Sequence, residues 1–152
     1  MNSQKLVLEQ IDRKILMLKK AQNLSLPSSG WVYALRQALG MSLRQVGKRM
    51  GVTPQSVKEI EDREKSGTIS INVLKQVGNS LGLKLIYGFI PEGKSLEEMI
   101  DKRAFELARE IVSRTSISMK LEDQGNSSKR IKKAITEKAE EIKLEMPKYL
   151  WD

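Results

Sequence analysis

Four polar residues fall close together just after Pro54: Gln55, Ser56, Lys58 and Glu59. A glutamine amide can bond adenine N6 and N7 in a bidentate way, and glutamate can accept from cytosine N4. Lysine can donate to guanine or to a phosphate, and serine can serve either kind of base. Around them lie Arg44, Gln45, Lys48, Arg49, Thr53, Arg63, Lys65, Thr68 and Ser70. These supply cations, amides and hydroxyls of the kind that hold phosphate oxygens without reading sequence. Each also has a plainer use. A charge on a soluble surface is ordinarily just solvated, and an acidic residue such as Glu59 near DNA more often only repels mistaken sites.

Other chemistry is excluded by residue type. The chain has 152 residues with no Cys and no His. It therefore lacks a thiolate nucleophile, an imidazole base and the common zinc ligand sets. Glu97 and Glu98 are adjacent, so on a helix they diverge and cannot form a carboxylate pair. No glycine-rich phosphate cradle is present. The expectation is a protein that is not an enzyme, with no catalytic residue, metal site or cofactor. No leader-like apolar stretch opens the chain and charges interrupt every hydrophobic run, so a cytoplasmic protein without a membrane partner is expected.

Lys and Arg total 27 against 19 Asp and Glu, a formal net charge of +8. Residues 92–152 hold thirteen of each sign, so the whole excess lies in residues 1–91. A polyanion is the first partner to consider, and the N-terminal part is where it should bind.

The elements that must position these residues are mostly helical. Leu8, Ile11, Ile15 and Leu18 recur at helical spacing over residues 4–20. That helix either packs on the next domain or forms a dimer seam. Ser25–Gly30 reads as a linker. Short helices then follow, separated by glycines. Trp31–Leu39 is the first, with Trp31 and Tyr33 expected in the core. Ser42 caps a helix whose inner face is Leu43, Val46 and Met50, and Gly51 ends it in a left-handed conformation. Thr53 caps the next helix with Pro54 at its first position. Asp62–Gly67 reads as a loop and Ser70–Leu81 as a fourth helix.

Leu83–Ile90 alternates like a strand, which must pair either with its counterpart in a second subunit or within the chain. Ser95–Glu98 has the spacing of a capping box and opens a helix to about Arg114. Residues 115–128 read as loop. A charged helix from about Lys129 to Glu145 reads as a solvated or partner-binding surface, followed by an exposed-looking Tyr149–Trp151 tail. The domains expected are residues 1–26 (N-terminal helix and linker), 27–91 (the glycine-punctuated helices and trailing strand) and 92–152 (a helical extension).

The central signal is a helix, a glycine-containing turn and a second helix within residues 42–61. Leu43, Val46, Met50, Val52, Val57 and Ile60 supply interlocking apolar contacts, and Gly47 lets the two helices approach. Such a motif presents its second helix to the major groove, N-terminal end first. Glu61 is expected to bond within the motif rather than to touch DNA.

Met41–Glu61 resembles the Cro/repressor (XRE) helix-turn-helix, matching its pattern at Ser42, Val46, Gly47, Met50, Gly51, Val52, Thr53, Val57, Ile60 and Glu61. One departure is Leu43, where that family usually has Gln, which shifts backbone contact to Arg44 and Gln45. The resemblance implies a mainly all-α, lambda-repressor-like domain that binds double-stranded DNA. Gly30-Trp-Val, Met41–Gln45, Leu81–Pro91 and Ser95–Met99 further resemble the mobile mystery protein A family, whose members are encoded beside a Fic-domain protein. That wider resemblance implies a repressor-like or antitoxin-like protein with a Fic-domain partner.

Two functions stay open at this level. One is a sequence-specific repressor, homodimeric because a single motif reads only a few base pairs and two half-sites lie about 34 Å apart. The other is an interaction protein whose C-terminal half inhibits a partner enzyme. Ser118–Asp123 and Thr136–Glu141 come near the inhibitory pattern Ser/Thr-x-x-x-Glu-Gly/Asn but lack its last residue.

Overall fold

The structure, a computed structural model, describes residues 3–120 and 128–152, with only the backbone described for 116–120. The chain divides into two compact units, Ala21–Gly88 and a second made of Met1–Lys20 with Phe89–Asp152.

The first unit is a cluster of short helices: α2 (Trp31–Ala38), α3 (Leu43–Met50), α4 (Pro54–Ser66) and α5 (Ile71–Ser80). Their starts are set by side chains that satisfy the free amides of a first helical turn. Ser42 accepts from Gln45 N while the Gln45 side chain accepts from Ser42 N, a complete capping box on α3. Thr53 accepts from Ser56 N to open α4, and Ser70 accepts from Val73 N to open α5. The core these helices share is small and aliphatic: Val32, Val46, Val57 and Val77 are all at most 2% exposed.

The second unit is built from α1 (Ser3–Leu18), α6 (Leu96–Lys120) and α7 (Ser128–Glu145), with a 3-10 turn at Lys148–Trp151. Ile100, Ala104, Ala108, Ala139, Ile142 and Leu150 form its buried cluster, and Leu8, Leu107, Ile111, Ile135 and Met146 pack against it. The alanines carry no side chain beyond Cβ, so α6 and α7 approach closely along that seam. Lys143 Nζ lies 2.7 Å from Asp101 Oδ1 across it. That close ion pair holds the Lys143 ammonium above the ordinary lysine range. Asp12 of α1 accepts from the Leu96 and Glu97 amides, so α1 caps α6 from outside. Ser95 accepts from Glu98 N as expected, while the Glu98 carboxylate reaches Lys94 N instead of closing the box on Ser95.

Five expectations are corrected. Residues 83–90 form no strand, and no strand occurs among the described residues. The alternation is real, but a strand exists only where a neighbour supplies the other half of the ladder. Residues 62–66 are not loop; α4 runs through them to a left-handed Gly67, with Lys58 and Asp62 pairing one turn apart. Residues 115–120 continue α6. The charged helix α7 is a core element, because Ile142 is 1% exposed and Ala139 6%. The tail is anchored likewise. Leu150 is fully buried, and Arg103 donates to the carbonyls of Leu150 and Asp152, although Tyr149 and Trp151 remain exposed.

Candidate nucleic-acid interface

The turn between α3 and α4 depends on two glycines. Gly51 takes φ +73°, a left-handed conformation that costs other residues about 1–2 kcal/mol. Gly47 is buried, and a Cβ there would stand 2.6 Å from Val52 O and 3.3 Å from Thr53 C. Both neighbours are backbone and cannot swing aside. A hydrogen at this position is therefore what lets the chain turn directly from α3 into α4. Val52, expected among the interlocking contacts, is 38% exposed, so Val46 and Val57, both fully buried, carry the packing.

A buried ion pair fixes α4 against α2. Arg36 Nε donates to Glu61 Oε2 at 3.0 Å, and Nη2 donates to Oε1 at 2.9 Å. Its Nη1 also donates to Met41 O at 3.1 Å, which ties in the residues just before α3. Glu61 is 3% exposed and Arg36 12%. The hydrogen bond to Glu61 raises the Arg36 guanidinium above its ordinary value. Glu64, one turn further along α4, accepts from the amides of Trp31 and Val32 at 2.8 and 2.7 Å and so caps α2. Glu61 thus bonds within the motif. Arg36 and Glu64 carry no such role in the sequence reading. A carboxylate at an inward helical position after Val57 signals that a cation must be buried with it.

Every base-reading candidate lies in the first two turns of α4. Gln55, Lys58 and Glu59 are exposed. Ser56 is half-buried, and its hydroxyl lies 2.9 Å from that of Thr53. Lys58 Nζ lies 3.2 Å from Asp62, a pair so exposed that it contributes little and leaves the ammonium available to another anion.

The phosphate candidates divide into two groups. Arg44, Lys48 and Arg49 are exposed on α3, and Lys48 and Arg49 line a shallow groove with Gln45, Leu39, Gly40 and Met41. Gln45 is exposed, and its Oε1 is occupied in the capping box. Thr53 and Ser70 use their hydroxyl oxygens as helix caps. Arg63 and Lys65 are exposed on the last turns of α4, and Thr68 Oγ1 lies 3.0 Å from Ser66 Oγ. Trp31 and Tyr33, expected in the core, are 42% and 36% exposed. Val32 between them takes the single buried place on α2, and the Tyr33 ring instead receives the Arg36 guanidinium at 5.3 Å.

Comparison with known proteins agrees with this geometry. Residues 32–87 match the family model described as Helix-turn-helix, a span that runs from the second residue of α2 through α5 and includes the turn at Gly51. No curated protein and no solved structure matches the chain. The chain therefore contains a helix-turn-helix domain. Among the described residues no helix is long and apolar enough to cross a membrane.

The close approach at Gly47 yields a direct test. Gly47→Ala should destabilise the protein by about 1–3 kcal/mol through overpacking against immovable backbone. Urea unfolding followed by circular dichroism measures this, and a change below about 0.5 kcal/mol would mean that the turn has room to spare.

Proposed function

We propose that the protein is a cytoplasmic, sequence-specific transcriptional regulator that binds double-stranded DNA as a homodimer, acts as a repressor on a palindromic operator, and is not an enzyme. The observation that carries this reading is the exposed polar start of α4, held by a buried frame on its other side. Gln55 stands at the second position of the helix and Lys58 one turn on, the region from which such a helix reaches base edges. Arg44, Lys48 and Arg49 on α3 supply the cations that seat the duplex.

The irregular segment after α5 supports the homodimer. Ile86 and Tyr87 are 71% and 61% exposed. Among the described residues, the backbone amides and carbonyls of 84–88 take part in no hydrogen bond. An apolar segment with unpaired backbone groups can pair with a second copy of itself about a two-fold axis, which is the symmetry a palindrome requires. In antiparallel pairing centred on Ile86, Lys84 faces Gly88 rather than another lysine.

An inhibitory interaction with a Fic-domain partner, implied by the resemblance to the mobile mystery protein A family, has weaker support. Its proposed elements, α7 and the tail, are partly committed to the core. Ser118–Asp123 extends outside the described residues. Thr136 donates to the Lys132 carbonyl within α7, and Glu141 pairs with Lys138.

Two measurements test the proposal. In fluorescence anisotropy against promoter-region duplexes, Lys48→Ala should weaken binding to all sequences alike. Gln55→Ala should cost about 1–3 kcal/mol on the preferred sequence and little on others. Unchanged binding in both would remove the assigned interface. In sedimentation velocity the chain should run as a dimer and Ile86→Pro as a monomer, since proline deletes a ladder donor. A dimer that survives the substitution would place the contact elsewhere.

A further inference from the structure

The thirteen-to-thirteen charge balance of residues 92–152 hides a division. Residues 109–133 hold seven basic and three acidic side chains, while the remainder of 92–152 holds six basic and ten acidic. The fold gathers the described cations of this stretch at one end. The Asp101–Lys143 pair and the shared burial of Ala104, Ala108, Ala139 and Ile142 set α6 and α7 antiparallel. Arg109 and Arg114 of α6 therefore lie toward the same end as Lys129, Arg130, Lys132 and Lys133 of α7. All six are exposed.

Helix formation alone does not favour this arrangement. The four α7 cations occupy its first two turns, where the helix macrodipole is positive, and no acidic residue lies in the first turn. Lys129 with Lys132, Arg130 with Lys133, and Lys129 with Lys133 are like charges three or four apart, a spacing that destabilises a helix. Glu137, Glu140, Glu141 and Glu145 crowd the other half, where the dipole favours cations. Exchanging the two sets would suit the isolated helix better. Among the described residues, one ion pair involves these six cations, Lys133 with Glu137 at 4.0 Å, and it is fully on the surface. Clustered cations that cost folding energy and, among the described residues, keep one surface ion pair between them are the footprint of a polyanion. Among the side chains described at 106–115 and 128–143 no large apolar one is exposed, so these stretches offer none of the anchors that seat a basic helix in a membrane.

We propose that the tip of the α6–α7 pair is a second, sequence-independent contact to the phosphate backbone of duplex DNA. The proposal rests on the DNA-binding reading of the helix-turn-helix domain and adds to it a site that reads no bases. Affinity would then divide between two units, with discrimination in one and part of the salt dependence in the other.

The experiment uses the full chain and a mixed-sequence duplex of about 40 base pairs as probe, with binding measured over a range of salt. Three variants are compared: Lys129→Gln/Arg130→Gln/Lys132→Gln/Lys133→Gln, Arg109→Gln/Arg114→Gln, and Lys48→Gln/Arg49→Gln. Each phosphate contact removed should lower the log–log salt slope by about 0.9. The fourfold variant should therefore lose up to about 3.6 units of slope and the α6 variant up to about 1.8. Thermal unfolding of the fourfold variant should stay level or rise, because repulsion has been relieved. Unchanged slopes in both tip variants overturn the proposal, even where Lys48→Gln/Arg49→Gln lowers the slope and upholds the helix-turn-helix interface. Loss in the tip variants alone upholds the tip and removes that interface. Tip variants that lose binding to phosphatidylserine vesicles while keeping the full DNA slope would reassign the patch to membranes and also overturn the proposal. So would failure of the unmodified chain to bind the duplex at low salt.

Discussion

The geometry of the first unit turns on a carboxylate that cannot reach water. Glu61 sits on the inward side of α4, and among the described residues the cation the fold brings to it is Arg36 on α2. Burying two charges offsets most of their mutual attraction, so such a pair adds little net stability. Its consequence is positional. Any other placement of α4 leaves a buried charge without its partner, a cost of about 3–5 kcal/mol. The third Arg36 hydrogen bond, to Met41 O, passes the constraint to the residues preceding α3. Glu64 closes the frame by capping α2. With its underside fixed at Val57 and Glu61, α4 keeps Gln55, Lys58 and Glu59 outward.

The second unit follows a different rule. Its core is a seam of alanines between α6 and α7, closed by Ile100, Ile142 and Leu150. Small side chains bring the helix axes together, so few large residues are needed. The rest of each helix surface is left free to carry charge. That freedom separates a basic end from an acidic one within a segment whose net charge is zero.

Legibility in the sequence followed the range of the interactions concerned. The caps at Ser42, Thr53 and Ser70 and the left-handed Gly51 were readable because they are local: a hydroxyl bonds an amide three residues on, and a glycine relieves its own backbone. Gly47 was readable as a small residue at a crossing. Elements that depend on distant partners were not. The alternation of Leu83, Leu85, Tyr87 and Phe89 says which faces a strand would have, yet not whether a second strand exists. The last turn of α4 was read as loop because Asp62, Arg63, Glu64 and Lys65 are polar, but its Glu64 is held by the amides of α2, some thirty residues earlier. The α7 helix looked solvated because alanine carries little weight in a hydrophobic pattern, although Ala139 fills the place where a larger side chain would force the helices apart. Trp31 and Tyr33 looked like core because they are aromatic; their positions on either side of Val32 turn them away from the single buried stripe of a short helix.

The most direct measurement is a chemical-shift map of the isotope-labelled full chain titrated with duplex DNA. The account predicts the largest perturbations at the backbone amides of Gln55, Ser56 and Lys58 and at the Gln55 side-chain amide, with the buried Arg36 guanidinium resonance unmoved. Saturable DNA binding that left the start of α4 unperturbed would contradict it.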